Sequence, residues 1–118
     1  MTRVLIVDDH PSFRRLAAQL VAAAGYAVVG EAADAVSALA EAQRLRPDVV
    51  LLDVVLPDRS GLAVARALIS SAERPRVVLI SSRSRSDFGE SYEWPDGCSF
   101  LPKHELTVTR LKDVVQRP

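Results

Sequence analysis

Two adjacent carboxylates, Asp8 and Asp9, close the apolar run "VLIV" of residues 4–7. A third, Asp53, closes "VVLL" (49–52). Ser81 and Ser82 close "VVLI" (77–80), and Lys103 follows "FLP" (100–102). Three carboxylates brought within a few ångströms repel one another, and one would take up a proton unless a cation joined them. Oxygen-only donors select a hard cation. Magnesium fits, because it uses one or two carboxylates, keeps several waters and accepts phosphate oxygens. A carboxylate beside magnesium can in turn attack a phosphoryl group and become an acyl phosphate. The transferred group is nearly metaphosphate, so its surroundings mainly position it and offset its charge. Asp53 is the candidate nucleophile, with Lys103 as a point charge on one phosphoryl oxygen and Ser81 as a hydrogen-bond partner to another.

This chemistry requires the apolar runs to lie side by side. There are five of them: "VLIV" (4–7), "YAVVGEA" (26–32), "VVLL" (49–52), "VVLI" (77–80) and the shorter "SFL" (99–101). Most are apolar throughout rather than alternating, as strands of a parallel sheet are when both faces are covered. Helical patterns lie between them. Phe13, Leu16, Ala17, Leu20, Val21 and Ala24 make one apolar stripe, ended by Gly25. Asp34 is placed to cap a second helix carrying Ala35, Ala38, Leu39, Ala42 and Leu45, stopped near Pro47. Ser60 is placed to cap a third, with Leu62, Ala65, Leu68, Ile69 and Ala72. A last helix is expected over about 105–116, using Val108, Leu111 and Val115. Residues 83–96, rich in serine and with only Phe88 and Tyr92 at helical spacing, predict a short or irregular helix.

Five β-α alternations with right-handed crossovers predict an α/β fold, a doubly wound five-stranded parallel sheet of order 2-1-3-4-5 in the flavodoxin-like manner. In that order the ends of strands 1, 3, 4 and 5 share one sheet edge, and Asp8, Asp9, Asp53, Ser81 and Lys103 share one cleft.

The chain has 118 residues, 48% of them apolar, which suits one compact domain over 1–118. Basic and acidic residues balance at 15 each, so bulk charge gives no sign of nucleic-acid or anionic-membrane binding. One cysteine, Cys98, excludes an internal disulfide. No apolar run approaches the ~20 residues that span a bilayer, so a soluble, cytoplasmic protein is the expectation.

"VLIVDDHPSFR" (4–14), "PDVVLLDVVLPDRSGL" (47–62), "VVLISS" (77–82) and "FLPKHEL" (100–106), in this order and at these separations, resemble the receiver domain of two-component response regulators over the whole chain. The resemblance implies Asp53 as phosphoacceptor. It implies Asp9, Asp53 and the Val55 backbone carbonyl as Mg²⁺ ligands, with Asp8 acting largely through water. Ser81 matches the switch hydroxyl, Lys103 the phosphate-binding lysine and Phe100 the aromatic that changes rotamer on activation. The phosphoryl group would come from a sensor histidine kinase or a small phosphodonor, and the domain would hydrolyse its own aspartyl phosphate without being an enzyme toward another substrate. The expected output is a protein target on the face made by the fourth helical segment, the fifth strand and the last helix. Homodimerisation on that pattern is left open.

The sequence also departs from the family. His104 follows Lys103 where many relatives have a cis-bonded proline, so a trans bond is expected there. Val55 and Arg83 occupy positions that tune phosphoryl lifetime in the family, and a bulky Val55 is expected to slow the attacking water. Blander roles stand beside these. Asp8 or Asp9 alone could cap the first helix; Asp58 is read as stabilising the turn after Pro57; His10 and His104 are read as surface residues, with His10 at the rim.

Other functions fit less well. A Mg²⁺-dependent aspartyl phosphatase needs a second acid two residues after the nucleophile, where Val55 stands. A flavin domain needs a phosphate loop after the first strand, where "DDHPSF" supplies carboxylates. An interaction-only receiver remains, although the acidic set is complete. The expectation is a stand-alone receiver with no output domain in this chain, or one cut from a helix-turn-helix DNA-binding regulator, a subgroup that "FLPKHEL" resembles.

Overall fold

All five apolar runs form strands: β1 (Arg3–Val7), β2 (Ala27–Ala32), β3 (Val49–Asp53), β4 (Arg76–Ser81) and β5 (Cys98–Pro102). They pair in parallel in the order β2-β1-β3-β4-β5. The structure, a computed structural model, describes residues 1–83, 85–88 and 94–116.

Alternate strand residues feed two separate cores. Leu5, Val7, Val50, Leu52, Val77 and Leu79 face α2 (Ala35–Leu45) and α3 (Gly61–Ile69). Val4, Ile6, Val49, Leu51, Val78, Ile80 and Leu101 face α1 (Pro11–Ala23) and α4 (Val108–Gln116). Both faces are covered, which is why the strands read as unbroken apolar runs.

The helix ends follow local chemistry. Neither Asp8 nor Asp9 caps α1: His10 holds the N-cap position with no side-chain cap bond, and Pro11 starts the helix, where a missing N–H is harmless. Gly25, at φ +89, follows its C-cap. Ala17, Val21 and Ala24 are buried as expected, but Leu16 is 49% exposed, so the buried stripe is narrower than its sequence pattern. In α2 the Asp34 carboxylate accepts from Ser37 N–H at 2.8 Å. Arg46 ends the helix in the left-handed region at φ 48, and Pro47 follows. Ser60 Oγ accepts from Leu62 N–H at the start of α3, while Ala72, expected on this helix, lies beyond its last residue.

The last helix starts later than expected. Lys103–Glu105 form a 3₁₀ turn, and α4 begins at Val108, with Thr107 Oγ1 accepting from Arg110 N–H. Leu111 and Val114 are its buried residues, and Val115 is only partly buried. Among the described residues every peptide bond is trans. Within 83–96 the described helical part is one 3₁₀ turn, Arg85–Phe88; Tyr92 lies outside the described residues. No helix among the described residues is long and apolar enough to cross a membrane.

Contacts to α2 and within the loop itself position the segment after β3. Asp58 does more than stabilise its own turn: Oδ1 accepts from Ala35 N–H at 2.8 Å and Oδ2 from Val36 N–H at 3.1 Å. With Asp34, it satisfies the first three N–H groups of α2, which a helix start leaves without partners. Gly61 N–H donates to Val54 O at 2.7 Å. A Cβ on Gly61 would stand 2.0 Å from the Asp53 carbonyl oxygen, so only glycine lets α3 begin against the end of β3.

Candidate functional site: an acidic cleft at the strand ends

The register of the sheet assembles the site. Val7 pairs with Leu52, so the next residues, Asp8 and Asp53, leave adjacent strands together. Asp53 pairs with Ile80, putting Ser81 one step further, and Ser81 pairs with Pro102, putting Lys103 one step beyond. Asp9, Asp53, Val55, Ser81 and Lys103 all line one cleft of about 460 Å³, together with His10 and Arg83. Phe100 is not among the lining residues.

Asp8 is fully buried. Its Oδ1 accepts from His10 N–H at 2.8 Å, and its backbone carbonyl accepts from Arg14 Nη1 at 2.7 Å. Lys103 Nζ lies 2.6 Å from Asp8 Oδ2 and 3.1 Å from Asp53 Oδ2. The other Asp53 oxygen, Oδ1, accepts from Val55 N–H at 3.0 Å. The Val55 side chain is 61% exposed at the mouth of the cleft. Ser81 is buried, and its Oγ accepts from Arg83 N–H at 3.1 Å.

The electrostatics of the two buried carboxylates diverge. Burial pushes the Asp53 carboxyl up to about 6. The Val55 N–H and Lys103 oppose that rise, and the Asp8 charge adds to it. Burial also acts against Asp8, but Lys103 and the His10 N–H outweigh it and hold that carboxyl below its usual range. Lys103 loses by burial and gains more from Asp8 and Asp53, so its ammonium is held above the ordinary lysine range. One cation thus serves two carboxylates, and Asp53 carries the unmet charge.

The donor set fits a divalent cation. Asp9 Oδ1 is a buried oxygen that accepts no hydrogen bond, while Asp8 Oδ2 is met by the Lys103 ammonium. Ligand atoms of Asp8, Asp9, His10 and Asp53 all lie within 4.8 Å of one another. His10 is exposed at the rim as expected, yet its Nδ1 reaches back to 3.1 Å from Asp8 Oδ1 and 3.2 Å from Asp9 Oδ1. Its placement beside the aspartate pair was the signal in sequence; the aim of the ring was not. Phe13 is a second residue that sequence reasoning assigned only to the core stripe: its ring centroid lies 4.4 Å from Lys103 Nζ.

Phe100 sits instead in a half-buried aromatic cluster. Its ring meets Trp94 at 4.9 Å and Phe88 at 6.4 Å between centroids, and Phe88 meets Trp94 at 5.3 Å, all edge-on.

Parallel β2-β1-β3-β4-β5 topology brings an acid pair, a buried aspartate, a serine and a lysine together at one sheet edge. The sequence profile of the response regulator receiver domain matches residues 4–116, and the chain belongs to that family. The signal receiver domain of NarL from Mycobacterium tuberculosis superposes with a TM-score of 0.82 at 33% identity, covering 99% of this chain and 98% of that one. The chemotaxis protein CheY4 of Vibrio cholerae superposes at 0.83 with 28% identity, over 99% and 98% of the two chains. Among curated relatives, protein-glutamate methylesterase/protein-glutamine glutaminase 5 of Myxococcus xanthus is 49% identical over 81 residues, 68% of this chain and 23% of that protein. The transcriptional regulatory protein PdtaR of Mycobacterium tuberculosis is 30% identical over 122 residues, 95% of this chain and 59% of that protein. The chain thus spans about a quarter of the methylesterase and less than two thirds of the transcriptional regulator.

Proposed function

We propose that this receiver domain accepts a phosphoryl group on Asp53, in a Mg²⁺-dependent reaction with the phosphohistidine of a sensor histidine kinase, and thereby switches a protein-binding surface. The observation that carries this is the shared ammonium: Lys103 stands 2.6 Å from Asp8 and 3.1 Å from Asp53, at the base of the acidic cleft.

Asp9, Asp53 and the Val55 carbonyl would hold the Mg²⁺, with Asp8 acting largely through water. When bound, the ion offsets charge on the carboxylates and on the phosphoryl oxygens. An Asp53 carboxylate oxygen attacks phosphorus; the bond from phosphorus to the kinase imidazole breaks, and the imidazole leaves with the electron pair. Lys103 follows the new negative charge from Asp53 onto a phosphoryl oxygen, remaining paired with Asp8. Ser81, whose Oγ now accepts only from Arg83 N–H among the described contacts, turns its hydroxyl to another phosphoryl oxygen. Hydrolysis reverses the modification: water attacks phosphorus, phosphate leaves, and the Asp53 carboxylate returns. The domain is therefore its own substrate rather than an enzyme toward another molecule.

Phe100 is the proposed switch aromatic. Its rotation has to break edge-on contacts with Trp94 and Phe88, each worth about 0.5–1.5 kcal/mol, so the phosphoryl contacts must supply a bias of a few kcal/mol. The affected face comprises the 3₁₀ turn at Arg85–Phe88, β5 and α4, and it is where a downstream protein, or a second copy of the chain, would dock. We assign the domain to residues 1–118 and to the cytoplasm, where such kinases donate. Any transcriptional-regulatory or methylesterase output, as the relatives' names describe, would belong to a partner or to a longer parent chain.

The test is incubation with Mg²⁺ and acetyl phosphate, followed by intact mass. One phosphoryl adduct is expected on the wild type and none on Asp53→Asn. An adduct of equal yield on the variant overturns the assignment.

A further inference from the structure

His10 stands against the acid pair of the cleft. It sits at the N-cap position of α1 with φ −97° and ψ 110°, between Asp9 and the rigid Pro11. That backbone turns the ring back over the acid pair although its side chain is 66% exposed. Nδ1 lies 3.1 Å from Asp8 Oδ1 and 3.2 Å from Asp9 Oδ1. Two donor atoms bound about 2.1 Å from one octahedral ion stand about 3 Å apart at adjacent vertices. The imidazole nitrogen and Asp9 Oδ1 are therefore already at the spacing of neighbouring ligands, while Asp8 Oδ1 accepts the His10 N–H behind them. Asp9 Oδ1 accepts no hydrogen bond, so its lone pairs are free for an ion. Asp53 completes the group, with all four ligand atoms within 4.8 Å of one another.

Ligand type sets the consequence. Magnesium favours oxygen donors and gains little from imidazole, whereas affinity for nitrogen-containing sites climbs from Mn²⁺ through Co²⁺ to Ni²⁺ and stays high at Zn²⁺. We propose that His10 Nδ1 is an additional metal ligand, making this a mixed nitrogen–oxygen site that takes borderline transition-metal dications in preference to Mg²⁺. This rests on the reading of the cleft as a divalent-cation site. The ring would bind through unprotonated Nδ1 and carry its proton on Nε2.

The test is calorimetric titration of the full chain with Co²⁺ and with Mg²⁺, for wild type, His10→Ala and His10→Asn. The removed side chain makes no cap bond to α1, so both variants keep the helix start. Wild type is expected to bind Co²⁺ at least tenfold tighter than Mg²⁺, and both variants to lose tenfold or more of that ratio while their Mg²⁺ affinity stays within about twofold. A long-range ¹⁵N spectrum with Zn²⁺ should move the His10 Nδ1 resonance and leave Nε2 protonated. An unchanged Co²⁺/Mg²⁺ ratio in His10→Ala, or an unmoved Nδ1, overturns the His10 role while leaving the cation site intact. Failure of wild type to bind either ion overturns both readings.

Discussion

The Lys103 ammonium lies 4.4 Å from the centre of the Phe13 ring while pairing with Asp53 at 3.1 Å. A helix α1 residue thus packs on the cation that follows β5. Lys103 is only 16% exposed, so the ring replaces water on one side of it. A desolvated cation–π contact is worth about 1–2 kcal/mol. Phe13→Leu keeps the apolar contact with the core and loses the ring face. Acetyl phosphate labelling of Asp53 should slow by roughly 5–30-fold in Phe13→Leu and recover in Phe13→Tyr. Equal rates for wild type and Phe13→Leu would show that the ring is packing only.

Asp53 ties stability to pH. Its carboxyl is raised to about 6 in the folded chain by burial, so the native state holds a proton that the unfolded chain releases near pH 4. The stabilisation from that bound proton is full below pH 4 and is lost as pH rises through 6. With chelator present, Asp53→Asn should therefore gain about 1–3 kcal/mol over wild type at pH 8, and the gain should vanish at pH 4. Denaturant titrations at the two pH values measure it. By the same logic, a cation must displace that proton, so Mg²⁺ affinity should rise between pH 5 and pH 7.

Gly61 is fixed by a close approach rather than by a turn. A methyl group there would overlap the Asp53 backbone, with contacts of 2.0 Å and 2.9 Å to its carbonyl. Gly61→Ala should cost about 3 kcal/mol or more in urea unfolding and reduce labelling of Asp53 in whatever fraction stays folded.

Asp58 should matter for stability and not for chemistry. Removing its carboxylate in Asp58→Ala leaves Ala35 and Val36 N–H without their partners at the start of α2. A melting temperature lower by a few degrees, with unchanged yield of the Asp53 adduct, is the expected result in calorimetry and intact mass.

Val55 guards the mouth of the cleft with an exposed, branched apolar side chain beside Asp53. Such a group orders no water for attack on phosphorus. The aspartyl phosphate of wild type should outlive that of Val55→Asn by several-fold, read from decay of the mass adduct after the donor is removed.

The sheet was legible because burial on both faces writes β1, β3 and β4 as nearly unbroken Val, Ile and Leu runs, and the runs name their own terminal residues. Asp8, Asp9, Asp53, Ser81 and Lys103 could be placed at one edge from topology alone, and the register bears that out. Contacts between distant segments were not legible. Asp58 looks like a turn residue until the start of α2, 22 and 23 residues earlier, is seen to donate to it. Phe13 matches a core stripe and Lys103 a cleft; only the packing of α1 beside the β5 end joins them. The aim of the His10 ring depends on backbone angles that residue types do not specify. In 83–96, weak periodicity signalled irregularity but could not reveal that Phe88, Trp94 and Phe100 would cluster.

The most direct measurement is reductive trapping. Borohydride reduces an acyl phosphate of aspartate to homoserine, and peptide mass mapping then locates it. After treatment with Mg²⁺ and acetyl phosphate, homoserine is expected at position 53 and at no other aspartate. Homoserine at Asp8 or Asp9, or an adduct that resists borohydride altogether, would contradict an acidic cleft built to phosphorylate Asp53.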